Sequence, residues 1–189
     1  MDKVQKGVRE FMLKFNQSIP ASYKKLNLPT RKLRAALLLE ETLETITKGL
    51  GLSVNLVYED GDVTVNKENL KRTEVLFEED GELDPIEFID GLCDINYVSY
   101  GAACAAGIDL ERFEEEVSRS NLSKLWTKED LENNPVPENA YVEDLFDGTY
   151  RVKQKNGKIA KSPSFSPPNI AKILEDEAIR HRQEWDDIW

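Results

Sequence analysis

The sequence predicts an all-α fold, a bundle of about five helices with short β-hairpin insertions. Three observations carry that expectation. Near the start of the chain Val4, Val8, Phe11, Met12 and Phe15 return at helical spacing. A second run, Leu33–Gly49, stays apolar until it reaches three closely spaced glutamates. A third opens with the capping signal Asp84-Pro85 and continues with little polar interruption to Gly107.

Taken in order, the first helix spans about Lys3 to Phe15. Ser18–Pro29 carries Pro20 and Pro29 and reads as a connector. Thr30 is the expected N-cap of the second helix, with Lys48-Gly49 and Gly51 as its stop. From Leu52 the period changes. Val54, Leu56 and Tyr58 alternate, Asp60-Gly61 is a hairpin-turn dipeptide, and Val63 and Val65 alternate again. A short hairpin is expected there, then an acidic excursion (Glu68–Asp84) with room for a short helix near Lys71–Phe77. In the third helix Asp84 is the cap, Pro85 occupies N1, and Glu87 stands at N3 as in a capping box. Apolar residues surround this helix almost completely, placing it centrally or at a subunit contact. Gly91, Gly101, Ala102, Ala103, Ala105 and Ala106 allow another helix to come close. Asp109 is the expected cap of a fourth helix, amphipathic through Leu110, Phe113, Val117 and Leu122. Thr127–Asp147 reads as a loop with at most one helical turn. Thr149–Ser162 reads as a basic hairpin around Asn156-Gly157, carrying Arg151, Lys153, Lys155, Lys158 and Lys161. A last helix spans about Asn169–Glu184. The chain is thus one domain, 1–189, with insertions near 52–84 and 127–147 and a hairpin-helix tail over 149–189.

Composition narrows the functions. The 189 residues carry a net charge of −11, which argues against an electrostatic grip on nucleic acid or an anionic membrane. No apolar run approaches a membrane span, and MDKVQKGVRE lacks the apolar core of a signal peptide. A cytoplasmic protein, or one made in a host cytoplasm, is expected. Cys93 and Cys104 lie roughly 16 Å apart along one helix and cannot bridge within it, so free buried thiols are expected. Trp126, Trp185 and Trp189 read as packing or subunit contact, Tyr97 and Tyr100 as core or interface, and His181 as a surface residue.

The chemistry gathers on two helices. Glu40 and Glu44 stand at i,i+4, and Glu41 and Glu44 at i,i+3, so they share one side. Like charges at that spacing repel. The bland reading is a solvated acidic face; the other is a cation held among them. Asp90 and Asp94 form a second i,i+4 pair, with Glu87 one turn earlier. Packed antiparallel, the two helices would present an all-oxygen set suited to Mg²⁺ or Mn²⁺, which bridges phosphate oxygens and supplies a hydroxide nucleophile beside a carboxylate base. With a single histidine and no cysteine pair, zinc fits poorly.

These residues resemble a family. The E-E-x-x-E run of Glu40, Glu41 and Glu44, followed by an acidic helix, is similar to the all-α nucleoside triphosphate pyrophosphohydrolases. These include MazG, dimeric dUTPases and phosphoribosyl-ATP pyrophosphohydrolase. The likeness is to the MazG-like, phosphoribosyl-ATP pyrophosphohydrolase-like subgroup. It runs through Asp90-Gly-Leu-Cys-Asp94-Ile-Asn-Tyr97-Val98-Ser-Tyr100-Gly101, Gly107-Ile-Asp109 and Asn121-Leu-Ser-Lys124. It continues in Asn156-Gly157-Lys158-Ile-Ala-Lys161 with Phe165, Pro167, Pro168 and Ile170.

The resemblance implies Mg²⁺-dependent hydrolysis of a nucleoside triphosphate between its α and β phosphates. Glu40, Glu41, Glu44 and Asp94 match the family's metal ligands, with Glu41 or Glu44 as base. The usual E-x-x-D places its glutamate on Gly91, and Asp90 substitutes from one residue earlier. The alternative register pairs Glu87 with Asp90; Asp90 and Asp94 are preferred because the capping box occupies Glu87. Asn121 and Lys124 match nucleotide-facing positions, beside the bland reading of an ordinary helix end. Lys158 and Lys161 either close over the triphosphate or belong to a solvated hairpin. The apolar faces need more burial than one protomer supplies, so a homodimer or dimer of dimers is expected. The rivals are phosphoribosyl-ATP hydrolysis in histidine synthesis and an inactive, regulatory homologue, which Gly91 keeps in view.

Overall fold

The structure is a computed structural model. It describes residues 1–57, 64–71 and 73–186, with side chains described through residue 178. The described residues hold six helices and two small sheets, so the fold is mostly helical rather than a strict all-α bundle. Contacts divide the chain into two compact units, residues 2–108 and residues 109–189 with Met1.

The first unit begins with α1 (Lys3–Lys14), capped by Asp2, whose side chain accepts from the Val4 and Gln5 N–H groups. Its inward face carries Gln5, Val8 and Met12. Val8 and Met12 pack with Cys104, and Ile19, Tyr100 and Ala105 close around them. Gln5 is fully buried and its amide donates to the Ile108 carbonyl at 2.6 Å, satisfying a group that burial would otherwise penalise.

Helix α2 (Leu28–Glu44) starts three residues earlier than a Thr30 cap implies. Asn27, not Thr30, is its cap: Asn27 Oδ1 accepts from Thr30 N at 2.9 Å. Pro29 therefore lies inside the first turn, where its missing N–H costs nothing. The helix then widens into a π-helical turn, Thr45–Gly49. Thr42, Thr45 and Thr47 there donate to the carbonyls of Leu38, Glu41 and Leu43, the back-bonding that loosens a helix end. Gly51, at φ +64°, releases the chain into strand β1.

Strand β1 (Leu52–Val57) pairs antiparallel with β2 (Glu74–Glu79), Leu52 opposite Glu79 and Val57 opposite Glu74. This corrects two expectations. The partner of Val54 and Leu56 is Phe77 and Val75, whereas Val65 lies outside any strand. The helix expected near Lys71–Phe77 is also replaced, since Glu74–Phe77 is strand. The Asp60-Gly61 turn, with Tyr58 and Val63, falls outside the described residues.

Helix α3 (Pro85–Ala105) runs antiparallel to α2. A Cβ added at Gly101 would lie 3.0 Å from Arg34, one at Gly91 2.3 Å from Thr45, and one at Gly49 2.6 Å from Phe88. As α2 and its π turn advance from 34 to 49, their partners on α3 descend from 101 to 88. The small residues thus sit where the helices meet. Only part of α3 is buried: Ile86 is 77 % exposed and Ile89 60 %. Cys104 is buried, but Cys93 is exposed, which corrects the expectation of two buried thiols.

In the second unit α4 (Glu111–Leu122) has Leu110 as its first-turn boundary and no side-chain cap. Asp109 does not cap it; its carboxylate pairs with the Met1 ammonium at 2.7 Å. Phe113 is buried, while Val117 and Leu122 are exposed. The span 127–147 is more ordered than a loop. It contains β3 (Trp126–Thr127), α5 (Lys128–Asn133) and β4 (Ala140–Asp144). Thr127 and Asp130 form a full capping box at the start of α5. Strand β5 (Thr149–Gln154) lies between β3 and β4, both antiparallel. The turn at Asn156-Gly157 is present, with Gly157 at φ +83°, and leads to a bridge between Lys153 and Ile159. The main partner of β5 is nevertheless β4, upstream of it. Trp126, Val152 and Ala160 form this unit's core, and Trp126 Nε1 donates to the Ala160 carbonyl at 3.2 Å. Helix α6 (Ile170–Asp186) follows Pro167-Pro168. Asn169 Oδ1 accepts from Lys172 N at 3.1 Å as its cap, and Arg112 of α4 pairs with the buried Glu177. No described helix is long and apolar enough to cross a membrane. The side chains of His181, Trp185 and Trp189 fall outside the described residues.

Candidate metal centre

Two short patterns on facing helices build the site. On α2 and its π turn, Glu41, Glu44, Thr45 and Lys48 follow i, i+3, i+4, i+7; on α3, Glu87, Asp90, Gly91 and Asp94 follow the same spacing. Each set occupies one helix face. Gly91 against Thr45 is the crossing point, because nothing larger than hydrogen fits there. The acids on either side are thereby brought to one place. Glu41, Glu44, Thr45, Glu87, Asp90, Gly91 and Asp94 line a single cavity of about 20 Å³, room for one water-sized particle.

Of the acids singled out from sequence, the structure brings Glu41, Glu44, Asp90 and Asp94 to this cavity; Glu40 does not line it, though its charge acts on Glu41. Glu87, the acid of the alternative register, lines the cavity as well. The Asp84 N–H that a capping box would hand to Glu87 instead donates to the Gly49 carbonyl at 2.9 Å. Asp84 Oδ1 still caps α3 through Ile86 N and Glu87 N, but Glu87 lines the cavity. The capping box is therefore half made, and capping does not account for Glu87. Gly91 also changes meaning: an acid there would collide with Thr45, so the helix crossing accounts for the glycine.

The electrostatics follow from crowding. Burial pushes the Glu41 carboxyl above its usual range, and Asp94, Glu44, Glu40 and Asp90 push it further in the same direction. The counter-charge nearby is Lys48, which pairs with Glu44 at 3.1 Å. Its own pKa is raised, chiefly by that bond, with contributions from Glu87 and Glu41. One lysine, more than half exposed, stands against five carboxylates around the cavity. The pattern Glu44–Lys48 at i,i+4 was the available signal for it. Among the described residues no group of three or more such donors is arranged to hold a metal ion as it stands. The test of fit is the donor set itself: oxygen only, anionic, under-neutralised and supplied by two helices. That set suits a hard divalent cation and not zinc.

The proposed nucleotide contacts lie in the second unit. Asn121 and Lys124 meet each other, Lys124 Nζ donating to Asn121 Oδ1 at 2.7 Å. Lys161 stacks its ammonium over the Phe165 ring at 4.2 Å, which gives it a local packing role. Lys158 is exposed on the turn. Tyr97 is 38 % exposed and meets Phe11 edge-on at 5.9 Å, with Phe15 stacked beyond.

Comparison with known families gives one result. The family model described as phosphoribosyl-ATP pyrophosphohydrolase matches residues 8–121, a span that takes in the whole acidic cavity and reaches Asn121 but leaves out Lys124, Lys158 and Lys161. No curated protein matches the chain.

Proposed function

Because the chain belongs to the phosphoribosyl-ATP pyrophosphohydrolase family, a family of pyrophosphohydrolases, we propose that it cleaves nucleoside triphosphates to the monophosphate and pyrophosphate with Mg²⁺. The observation that carries this reading is the cavity lined by Glu41, Glu44, Glu87, Asp90 and Asp94 with Lys48 as its cation. Those carboxylates, with Glu40 beside them, would hold the metal. Bound there, Mg²⁺ would offset their charge and that of the phosphate oxygens. Mn²⁺ satisfies the same donor set.

The chain's own contribution is a base. Glu41 is the preferred candidate, since burial and then the neighbouring acids strengthen its carboxylate's hold on a proton. Glu41 takes a proton from water as the water oxygen bonds to the α-phosphorus. The bond from that phosphorus to the α–β bridging oxygen breaks, and the electron pair leaves with pyrophosphate. Lys48 tethers Glu44, leaving Glu41 the freer carboxylate. Asn121, Lys124, Lys158 and Lys161 are proposed as nucleotide contacts on family likeness alone. A homodimer or dimer of dimers is proposed from the apolar residues left exposed on α2 and α3, Leu39, Ile86 and Ile89 each at least 60 % exposed.

Phosphoribosyl-ATP is the second substrate reading, favoured by the family's own description. Pyrophosphate release measured across the (d)NTPs and phosphoribosyl-ATP with Mg²⁺ separates the two. Wild type and Glu41→Gln equally silent, with nucleotide still bound, would leave a regulatory homologue instead.

A further inference from the structure

The first unit holds a second cavity of opposite character. It measures about 440 Å³ and is lined by Lys24, Lys25 and Arg34, with Ser18, Asn27 and Thr30 among its polar groups and no carboxylate. That volume suits a small molecule. It shares no lining residue with the acidic cavity. In a chain with 36 acidic and 25 basic residues, three cations around an acid-free cavity call for a counter-charge.

Among the described residues the Arg34 guanidinium donates once, to Gln17 Oε1 at 3.0 Å, while its Nε is buried with no hydrogen-bond partner. Gly101 leaves space for it on α3, where a Cβ would press on the guanidinium. Burial lowers its pKa, with Cys104 acting in the opposite direction. None of Lys24, Lys25 and Arg34 forms an ion pair among the described residues. A half-buried, under-bonded guanidinium costs stability until an anion reaches it, and Lys24 and Lys25 add two point charges at the same opening.

We propose that this cavity binds a di- or triphosphate group, free or carried on a nucleotide, at a site separate from the acidic cavity. It needs no divalent cation, which is what sets it apart: five carboxylates repel a bare polyphosphate, whereas the basic cavity attracts one. The inference stands whether or not the acidic cavity is catalytic.

The test is calorimetric titration of the whole chain with inorganic pyrophosphate in EDTA. Wild type is expected to give saturable, salt-sensitive binding. Lys24 and Lys25 are exposed, so the double variant K24Q/K25Q should fold normally and bind at least about tenfold more weakly. Its melting curve, matched to wild type without ligand, checks the fold. K3Q/K6Q, on exposed positions of α1, should bind as wild type does. ATP added in the same buffer identifies the source: displacement of pyrophosphate assigns the site to nucleotides, and failure to displace assigns it to free pyrophosphate. No saturable binding by wild type, undiminished binding by K24Q/K25Q, or an equal loss in K3Q/K6Q would overturn the proposal.

Discussion

At Gly91 a methyl group would come within 2.3 Å of Thr45 Oγ1 and 3.0 Å of its Cβ. Thr45 cannot swing away freely, because its hydroxyl is bonded to the Glu41 carbonyl. Gly91→Ala should therefore destabilise the protein by about 1–3 kcal/mol, read as a lowered melting temperature, and disturb the acids on both sides of the crossing. Glu41 makes the opposite prediction. Its raised pKa means that the folded, metal-free protein holds this proton more tightly than the unfolded chain does. The stability so contributed is complete below the ordinary carboxylate range and is lost as pH rises through the raised value. In EDTA at neutral pH, Glu41→Gln should melt no lower than wild type, while losing activity by about 10²–10⁴-fold if it is the base. Glu116 provides the contrast, held down to about 2, first by Arg119 and then by the Asn169 N–H. Its contribution is present above the ordinary value of 4.5 and fades as pH falls towards 2. Melting curves of wild type and Glu116→Gln should therefore converge over that interval and differ above it.

At the scale of elements, the acid-bearing helices were legible because their signals are local. Asp84-Pro85 capped α3, the i,i+4 acids marked their faces, and the small residues of α3 announced a close neighbour. What escaped was decided by competition between partners. Asn27 outcompeted Thr30 as a cap because Pro29 can sit within the first turn. Glu87 lost its capping partner because Gly49, brought close by the same crossing, took the Asp84 N–H first. Strand pairing was harder still. The residues facing Val54 and Leu56 lie about twenty positions downstream, and a two-residue turn signal says nothing about a longer connection. Likewise β4 is a strand only because β5 lies beside it; Tyr141 and Val142 are exposed, so no alternation of buried residues marks it.

For the whole molecule, charge is unevenly placed. The chain is acidic overall, yet one cavity of its first unit is acidic and another is basic. Neither was visible as a balance of composition, which averages them away. Exposed apolar residues carry the proposal of self-association. Sedimentation of wild type should show a dimer or larger assembly, and Ile86→Lys with Ile89→Lys should shift it towards monomer; a monomeric wild type would remove the proposal. The account stands or falls, however, on whether the facing acids of α2 and α3 take up a divalent cation. Titration of the metal-free protein with Mn²⁺, following the loss of the free-ion electron paramagnetic resonance signal, reads this directly. Saturable uptake by wild type, weakened at least about tenfold in both Glu41→Gln and Asp94→Asn, is the predicted result. Wild type that leaves the free-ion signal untouched, or variants that bind as well as it does, would contradict the account.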